Sequence, residues 1–395
     1  MTGPDPESEA RRRIAALRPA CVGVARVGEL IGSAKRRVVF HAGPPFESAA
    51  EIPQPVRHSI AVAALRESWA TDFESAERLL SAGAIETAAA QDHGLLVPLA
   101  GVLSPAMAVL TVRDLDGSST VHVALNEGQQ HATRLGLADP ELPRHLRWLD
   151  EEFAPWLGER FASPLELAPA IAQALAEGDD CHARSVAGSR WIGRWLAQTA
   201  PLGSESTAAL RFVDESPAFA LNFWMGAAAL WLRAAEGVAG CTWLSRAGGN
   251  GLRFGVQLAG RPGVWVQCPA PQPAGAIEAA HARRRPAGAL GDSAVVDSLG
   301  LGGQALLHAP AVREALNDFL PGDALERPGR ILGGPELARG LSASVVDARR
   351  CVDSGVGPLV LLGMIDAAGQ GGRIGGGVVD LPVSILRSAL QSNAS

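Results

Sequence analysis

Apolar and polar positions change their period several times along the chain, and each period points to a different kind of element. Helical spacing of apolar residues predicts a first helix over Glu9–Leu17, and strand-like runs follow at Ala20–Ala25 and Arg37–Phe40. The second strand runs into His41-Ala-Gly-Pro-Pro45. Helical spacing returns over Pro55–Ser68 and again in a short acidic segment, Asp72–Ala82. Val97–Leu99, Met107–Arg113 and Thr120–Leu125 read as strands, the last ending at Asn126-Glu127-Gly128. Short strands alternating with helices predict an N-terminal α/β domain over residues 1–130.

From His131 to about Gly203 strand signals fade, and Pro143–Trp156, Pro164–Ala176 and Ala187–Gln198 carry helical spacing. Residues 131–210 therefore read as an all-helical subdomain, in which Trp191 and Trp195, four apart, form a packed stripe. A third unit, 211–395, opens with the apolar segment Phe219–Arg233. That segment is shorter than the roughly 20 apolar residues a bilayer span needs, and Asn222 interrupts it. Ser216 suits an N-cap, Pro217 a first turn and Gly237 the end, so it reads as a buried core helix. Strands return at Gly251–Leu258, Gly263–Cys268 and Leu359–Met364, and the chain closes on a glycine-rich stretch, Gly369–Gly377. The fold class expected is α+β or α/β, multidomain, with mixed sheets on either side of a central helical subdomain.

Composition narrows the chemistry. With 47% hydrophobic and 19% charged residues, 395 residues suffice for two or three domains and a well-buried core. A net charge of −6 leaves no basic excess for binding nucleic-acid phosphates. Lys35 is the only lysine, so a Schiff-base mechanism would have to rest on it. The five cysteines are widely spaced, odd in number and without zinc-ligand spacing, and the start lacks the order of a signal peptide. A reducing cytoplasm is the expected location, with no membrane span, no metal and no cofactor.

The densest chemistry lies in Gly178-Asp-Asp-Cys-His-Ala-Arg184. If helical turns resume after Gly178, Asp179 and His182 share one face and Asp180 and Arg184 another. The cluster suits anion binding, metal holding or proton transfer, and equally a polar helix end with an internal ion pair. The glycine-rich tail lacks the Gly-Lys-Ser/Thr of a phosphate loop, and its glycines fit tight turns or close backbone approach as well. Gly291-Asp-Ser293 does not match a nucleophile elbow, and Glu86, Asp92 and His93 are too sparse for a metal site.

Taken in order, several of these clusters resemble a bacterial domain-of-unknown-function family that includes the AllG (YlbE) subunit of oxamate carbamoyltransferase. The resemblance is carried by His41-Ala-Gly-Pro-Pro45, Ala100-Gly-Val-Leu-Ser-Pro-Ala-Met107, Leu125-Asn-Glu-Gly128 and Gly178–Arg184. It continues through Leu221-Asn222, Asn250-Gly-Leu-Arg-Phe-Gly255, Gly291-Asp-Ser-Ala294 running to Gly303, and Val352-Asp-Ser-Gly355. It departs where the family carries a Cys/His-rich run: Ala88–Pro98 keeps one histidine, His93, and no cysteine. Ser185 stands where asparagine is common, and the tail is reworded around Asp366–Gln370.

The resemblance implies a small-molecule enzyme working in an oligomer beside partner subunits, one of them FdrA-like, in allantoin breakdown. The implied reaction joins carbamoyl phosphate and oxamate to oxalurate and phosphate, or runs in reverse. Such chemistry needs anion holding, carbonyl polarisation and positioning of a weakly nucleophilic amide. Arg184 and Arg253 are the anion-holding candidates. His182 is the candidate donor or proton shuttle, with Asp179 orienting it and Glu127 as base or orienter. Asn126, Asn222 and Asn250 would fix an amide substrate, and His41 and Ser293 complete the substrate-binding set. The alternatives are a non-catalytic scaffold or regulatory subunit, and a divergent transferase or ligase of another pathway.

Overall fold

The computed structural model describes residues 5–32, 37–199, 207–333 and 344–393; Lys35 and Gly203 lie outside them. Among the described residues, four sheets and a set of helices build the mixed α and β architecture that the periodicity predicts. The largest sheet orders its strands Leu95–Leu96, Thr120–Ala124, Ala108–Asp114, Pro19–Arg26 and Leu165–Glu166. All neighbours are antiparallel except the first pair. Beside it, Glu86–Ala89, Val38–His41 and Val102–Leu103 form a three-stranded sheet.

The apolar helix Leu221–Ala234 lies against the large sheet and is buried along nearly its whole length, Trp224 and Trp231 included. Gly226 permits the approach, since a Cβ there would stand 2.6 Å from a methyl of Val112. The helix begins four residues later than the Pro217 signal suggests. Turns closed by Phe219 N–H to Ser216 O and Leu221 N–H to Ala218 O occupy the intervening residues. Among the described residues, no helix is long and apolar enough to cross a membrane.

Two expected elements change. Val97–Leu99 is a loop between Leu95–Leu96 and Val102–Leu103, because Pro98 has no N–H to give a ladder and Leu99 takes φ +47. The start of the Pro164–Ala176 segment is a strand, Leu165–Glu166, paired with Ala20 and Cys21, and only Leu167–Ala176 is helical. Trp191 and Trp195 pack partly buried against the core, as a stripe should, with Trp195 stacked on Phe161 at 5.6 Å.

A four-stranded sheet follows, ordered Val266–Pro269, Arg253–Leu258, Leu244–Asn250 and Leu290–Gly291. Leu244–Asn250 carries no strand signal in its sequence, because two glycines and buried Ser245 and Arg246 break any alternation. The Leu359–Ile365 and Arg373–Asp380 hairpin contains Gly375–Gly377 as strand residues and not as a phosphate loop. Their hydrogen side chains admit the backbone of 274–276: a Cβ on Gly275 would stand 2.1 Å from Gly376 O, and one on Gly375 2.3 Å from Ala276 O. Close backbone approach is what these glycines serve.

Gly275→Ala should therefore destabilise the protein by about 1–3 kcal/mol through overpacking. Gly322→Ala, where nothing lies within 4 Å of the new methyl, should be neutral or stabilising by about 0.4–1 kcal/mol. Urea unfolding of both variants checks this, and equal midpoints would refute the packing account.

Candidate functional site

Helix Leu167–Ala176 ends as Gly178 takes φ +93, and the chain then leaves helical geometry altogether, with Cys181 at φ +71. Helical turns resume only at Val186, so the expected face-sharing of Asp179 with His182 does not form. Instead Asp180 folds the loop around its own carboxylate. Its Oδ1 accepts from the amides of His182 (2.7 Å) and Ala183 (2.8 Å), and its Oδ2 from Arg184 (3.0 Å). Burial pushes Asp180 up to about 6, against the charge of His182 and those three donors. Asp179 accepts from Gly188 N–H at 2.9 Å and faces the Arg184 guanidinium at 3.4 Å. Arg184 itself stays 38% exposed. Burial, with the charges of Asp180 and Asp179, pushes the Cys181 thiol far up and leaves it unreactive.

The partner of His182 comes from far along the chain. Its Nδ1 lies 2.7 Å from Asp297 Oδ2, both side chains being buried. Asp297 Oδ1 accepts from Gly303 N–H (2.8 Å) and Leu361 N–H (3.2 Å). Burial pulls the imidazole down, but Asp297 and Asp180 outweigh it, so the His182 pKa stands above its ordinary value. The orienting carboxylate is thus Asp297 and not Asp179, a residue that carries no spacing signal because it lies 115 positions away.

Asp297 sits in the five-residue helix Ala294–Ser298, and a second buried carboxylate, Asp292, stands just before that helix. Asp292 accepts from Gly43 N–H (2.9 Å), Gln91 Nε2 (2.7 Å) and Val97 N–H (2.9 Å). Burial pushes it up to about 7, with Asp92 adding and the three donors opposing. Around it pack Gly43, whose added Cβ would stand 2.5 Å from the Gly249 backbone, and Gly291, whose Cβ would stand 2.7 Å from Leu99 N. Ser293 is buried beside Gly291. Asn250 holds the same junction by donating to Pro44 O (2.8 Å) and accepting from Leu252 and Arg253 N–H. His41 ends its strand here with Nδ1 2.9 Å from Ala42 O. Burial pulls its pKa down to about 4, so the ring is neutral, and Nε2 is a buried acceptor with no partner among the described residues.

A third group lies at the end of Thr120–Ala124. Asn126 donates to Ala218 O (3.0 Å) and Asn222 Oδ1 (3.3 Å) and accepts from Gly128 N–H; Asn222 donates to Ala124 O. Glu127 accepts from Thr133 N–H (3.1 Å), Thr133 Oγ1 (2.8 Å) and Arg134 N–H (3.3 Å). These polar atoms hold loops in place and are already engaged. Arg253 stands apart: it pairs with Glu47 (2.9 Å) and Glu51 (3.4 Å) and lines an open hollow of about 370 Å³ with Leu252, Gln267 and Cys268. Sequence reasoning passes over Gln91 and Asp297, which enter these junctions through contacts with residues far along the chain. Among the described residues no three His, Cys, Asp or Glu side chains are placed to hold a metal ion.

The fold and these junctions define a mixed α/β protein whose interior is tied together by buried carboxylates collecting backbone amides from glycine-rich loops. The family model for the oxamate carbamoyltransferase subunit AllG matches residues 85–293, over half of the chain, and the chain belongs to that family. It is 25% identical over 414 residues to the oxamate carbamoyltransferase subunit AllG of Escherichia coli (strain K12), covering 97% of this chain and 95% of that protein. The uncharacterized protein YahG of the same organism is also 25% identical, over 398 residues, covering 97% and 84%. The crystal structure of a conserved protein of unknown function from Enterococcus faecalis V583 shares the fold at a TM-score of 0.88, with 25% identity over 98% of this chain and 97% of that one.

Two measurements check these junctions. Asp292→Asn keeps one oxygen for Gly43 and Gln91 but turns an NH₂ toward Val97 N–H, and should cost about 1–3 kcal/mol of stability, the cost of an unmet buried group; a midpoint within error of wild type would refute the network. His182, with its folded pKa raised above about 6.5, stabilises fully below that pH and loses the contribution as pH rises through the folded value. The stability gap between wild type and His182→Gln should therefore be wider at pH 6 than at pH 9, and a gap that does not narrow would exclude the ion pair.

Proposed function

We propose that this chain is a subunit of a carbamoyltransferase that moves a carbamoyl group between carbamoyl phosphate and a small amide or carboxylate acceptor such as oxamate. The observation that carries the reading is the extent of the family match, which contains the 178–185 loop and ends on the Gly291–Ser293 turn. In the forward direction the acceptor nitrogen bonds to the carbamoyl carbon, and its proton passes to the departing phosphate. The carbon–oxygen bond to phosphate breaks, and phosphate leaves with the electron pair. His182, held by Asp297, whose carboxylate favours the protonated ring, donates to the developing carbamoyl oxyanion. Arg184, half-exposed and steadied by Asp179, holds an anionic end of the substrates. The neutral His41, with its free Nε2 acceptor, orients an amide N–H. Asn126, Glu127, Asn222, Asn250 and Ser293 position the loops that carry these groups, and Arg253 serves the outer hollow. The working unit is an oligomer of this chain or a complex with FdrA-like partner subunits.

One observation favours a non-catalytic subunit instead: Asn126, Glu127, Asn250 and Asp292 already spend their polar atoms on backbone groups and neighbouring side chains. Phosphate release from carbamoyl phosphate, with and without oxamate and with and without partner subunits, separates the two. Under the catalytic reading His182→Ala and Arg184→Ala each lower turnover by at least about tenfold, the lower end for lost acid–base or anion-hole groups. Wild-type rates from both folded variants in the complete complex would leave the scaffold reading standing.

A further inference from the structure

Among the described residues, four aspartates have no exposed surface: Asp179, Asp180, Asp292 and Asp297. Asp180, Asp292 and Asp297 each engage both carboxylate oxygens, through backbone amides, Gln91 Nε2 or the His182 ring. Asp179 engages one. Its Oδ2 accepts from Gly188 N–H at 2.9 Å, and its Oδ1 is, among the described residues, the one buried carboxylate oxygen without a hydrogen-bond partner. A carboxylate oxygen closed off from water and left unmet costs more than a neutral group would, so the position calls for a donor.

The groups beside that oxygen complement it. Gly188 is the third residue of the helix Val186–Gln198, so Asp179 takes the amide that the side chain of Ser185, the N-cap residue, would ordinarily cap. Ser185 makes no cap bond, and its hydroxyl is a second buried polar atom at this helix end without a partner. Arg184 supplies the third group. Its Nε stands 3.4 Å from Asp179 Oδ1 without hydrogen-bond alignment, and its side chain is 38% exposed, so the loop meets solvent at this guanidinium. A carboxylate oxygen only accepts, a hydroxyl can give its proton to a carbonyl, and a guanidinium binds an oxyanion. A primary amide beside a negative charge answers all three, with N–H to Asp179, C=O to Ser185 and the charge to Arg184. A ligand with a second carboxylate in place of the amide would set oxygen against Asp179 Oδ1, and the like charges would repel.

We propose that Asp179, Arg184 and Ser185 form a subsite that recognises a primary amide carried next to an anionic group, as in oxamate and in carbamoyl phosphate. Naming these two compounds rests on the carbamoyl-transfer reading, whereas the preference for an amide beside a charge does not. Titration calorimetry of the full chain tests it with two matched pairs, oxamate against oxalate and carbamoyl phosphate against acetyl phosphate, the second member of each lacking the NH₂. In at least one pair the amide should bind wild type about tenfold or more tighter, as expected for a hydrogen bond to a charged group. The pair that shows the preference identifies the substrate read here. Asp179→Asn keeps its oxygen on Gly188 N–H and presents an NH₂ to the ligand, donor against donor, so the preference should vanish or reverse. Arg184→Gln should weaken both members of that pair alike. Should Asp179→Asn fail to fold, Ser185→Ala decides, because the hydroxyl it removes makes no cap bond; amide affinity should fall about threefold or more, as for a lost neutral hydrogen bond. No preference in either pair, a preference intact in folded Asp179→Asn, or affinities unchanged in Arg184→Gln or Ser185→Ala would overturn the subsite. An Asp179-dependent preference without carbamoyl transfer by the complete complex would remove the functional reading and leave the subsite. Transfer with the preference unaltered in Asp179→Asn would do the opposite.

Discussion

A carboxylate taken out of water must have its lone pairs met, and in this protein that requirement is satisfied by gathering donors from distant segments. Asp292 and Asp297 bracket one short helix. The first collects amides or an amide side chain from the His41–Pro45 turn, the 90–93 turn and the 97–101 loop. The second collects His182, the Gly302–Gly303 turn and the strand Leu359–Ile365. Each such bond contributes only about 1 kcal/mol net, but leaving a buried group unmet costs about 1–3 kcal/mol. Register among the N-terminal sheet, the 178–185 loop and the C-terminal hairpin is therefore set as much by two aspartates as by the apolar core.

Glycine follows from that arrangement. Donors can converge on a buried carboxylate only where main chains come close, and Gly43, Gly248 and Gly291 leave the Asp292 junction no room for a Cβ. The same close approach recurs at Gly275 against Gly376, where it joins the C-terminal hairpin to the 274–276 segment. A glycine-rich stretch can mean phosphate binding or backbone packing, and here it is the neighbouring chain that decides. Neutralisation is the other side of this economy: Arg66, Arg246 and Arg327, all largely buried, each meet a carboxylate within 3 Å.

Much of the framework was legible along the chain. The buried helix near 221–234, the strands at 19–26, 38–41, 108–114 and 359–365, and the acidic helix capped by Asp72 follow from local periodicity and capping, which act over a few residues. The order of small motifs from His41 to Gly303 was enough to indicate the family. Legibility failed where a long-range contact overrode the local signal: Val97 gives its N–H to Asp292 and not to a ladder, and Leu244–Asn250 is a strand because both its neighbours pair with it.

What the sequence determined by itself was the set of elements, the mixed α/β class and the residue types available for chemistry, since these depend on spacing and on side-chain identity. What only the tertiary structure decided was the pairing: that His182 answers to Asp297 and not to Asp179, that Asn126 and Asn222 are spent on each other and on the backbone, and that Asn250 is spent on the backbone. Positions separated by a hundred or more residues carry no mutual period, and only the closed chain, by excluding water, makes each unmet charge costly enough to choose its partner.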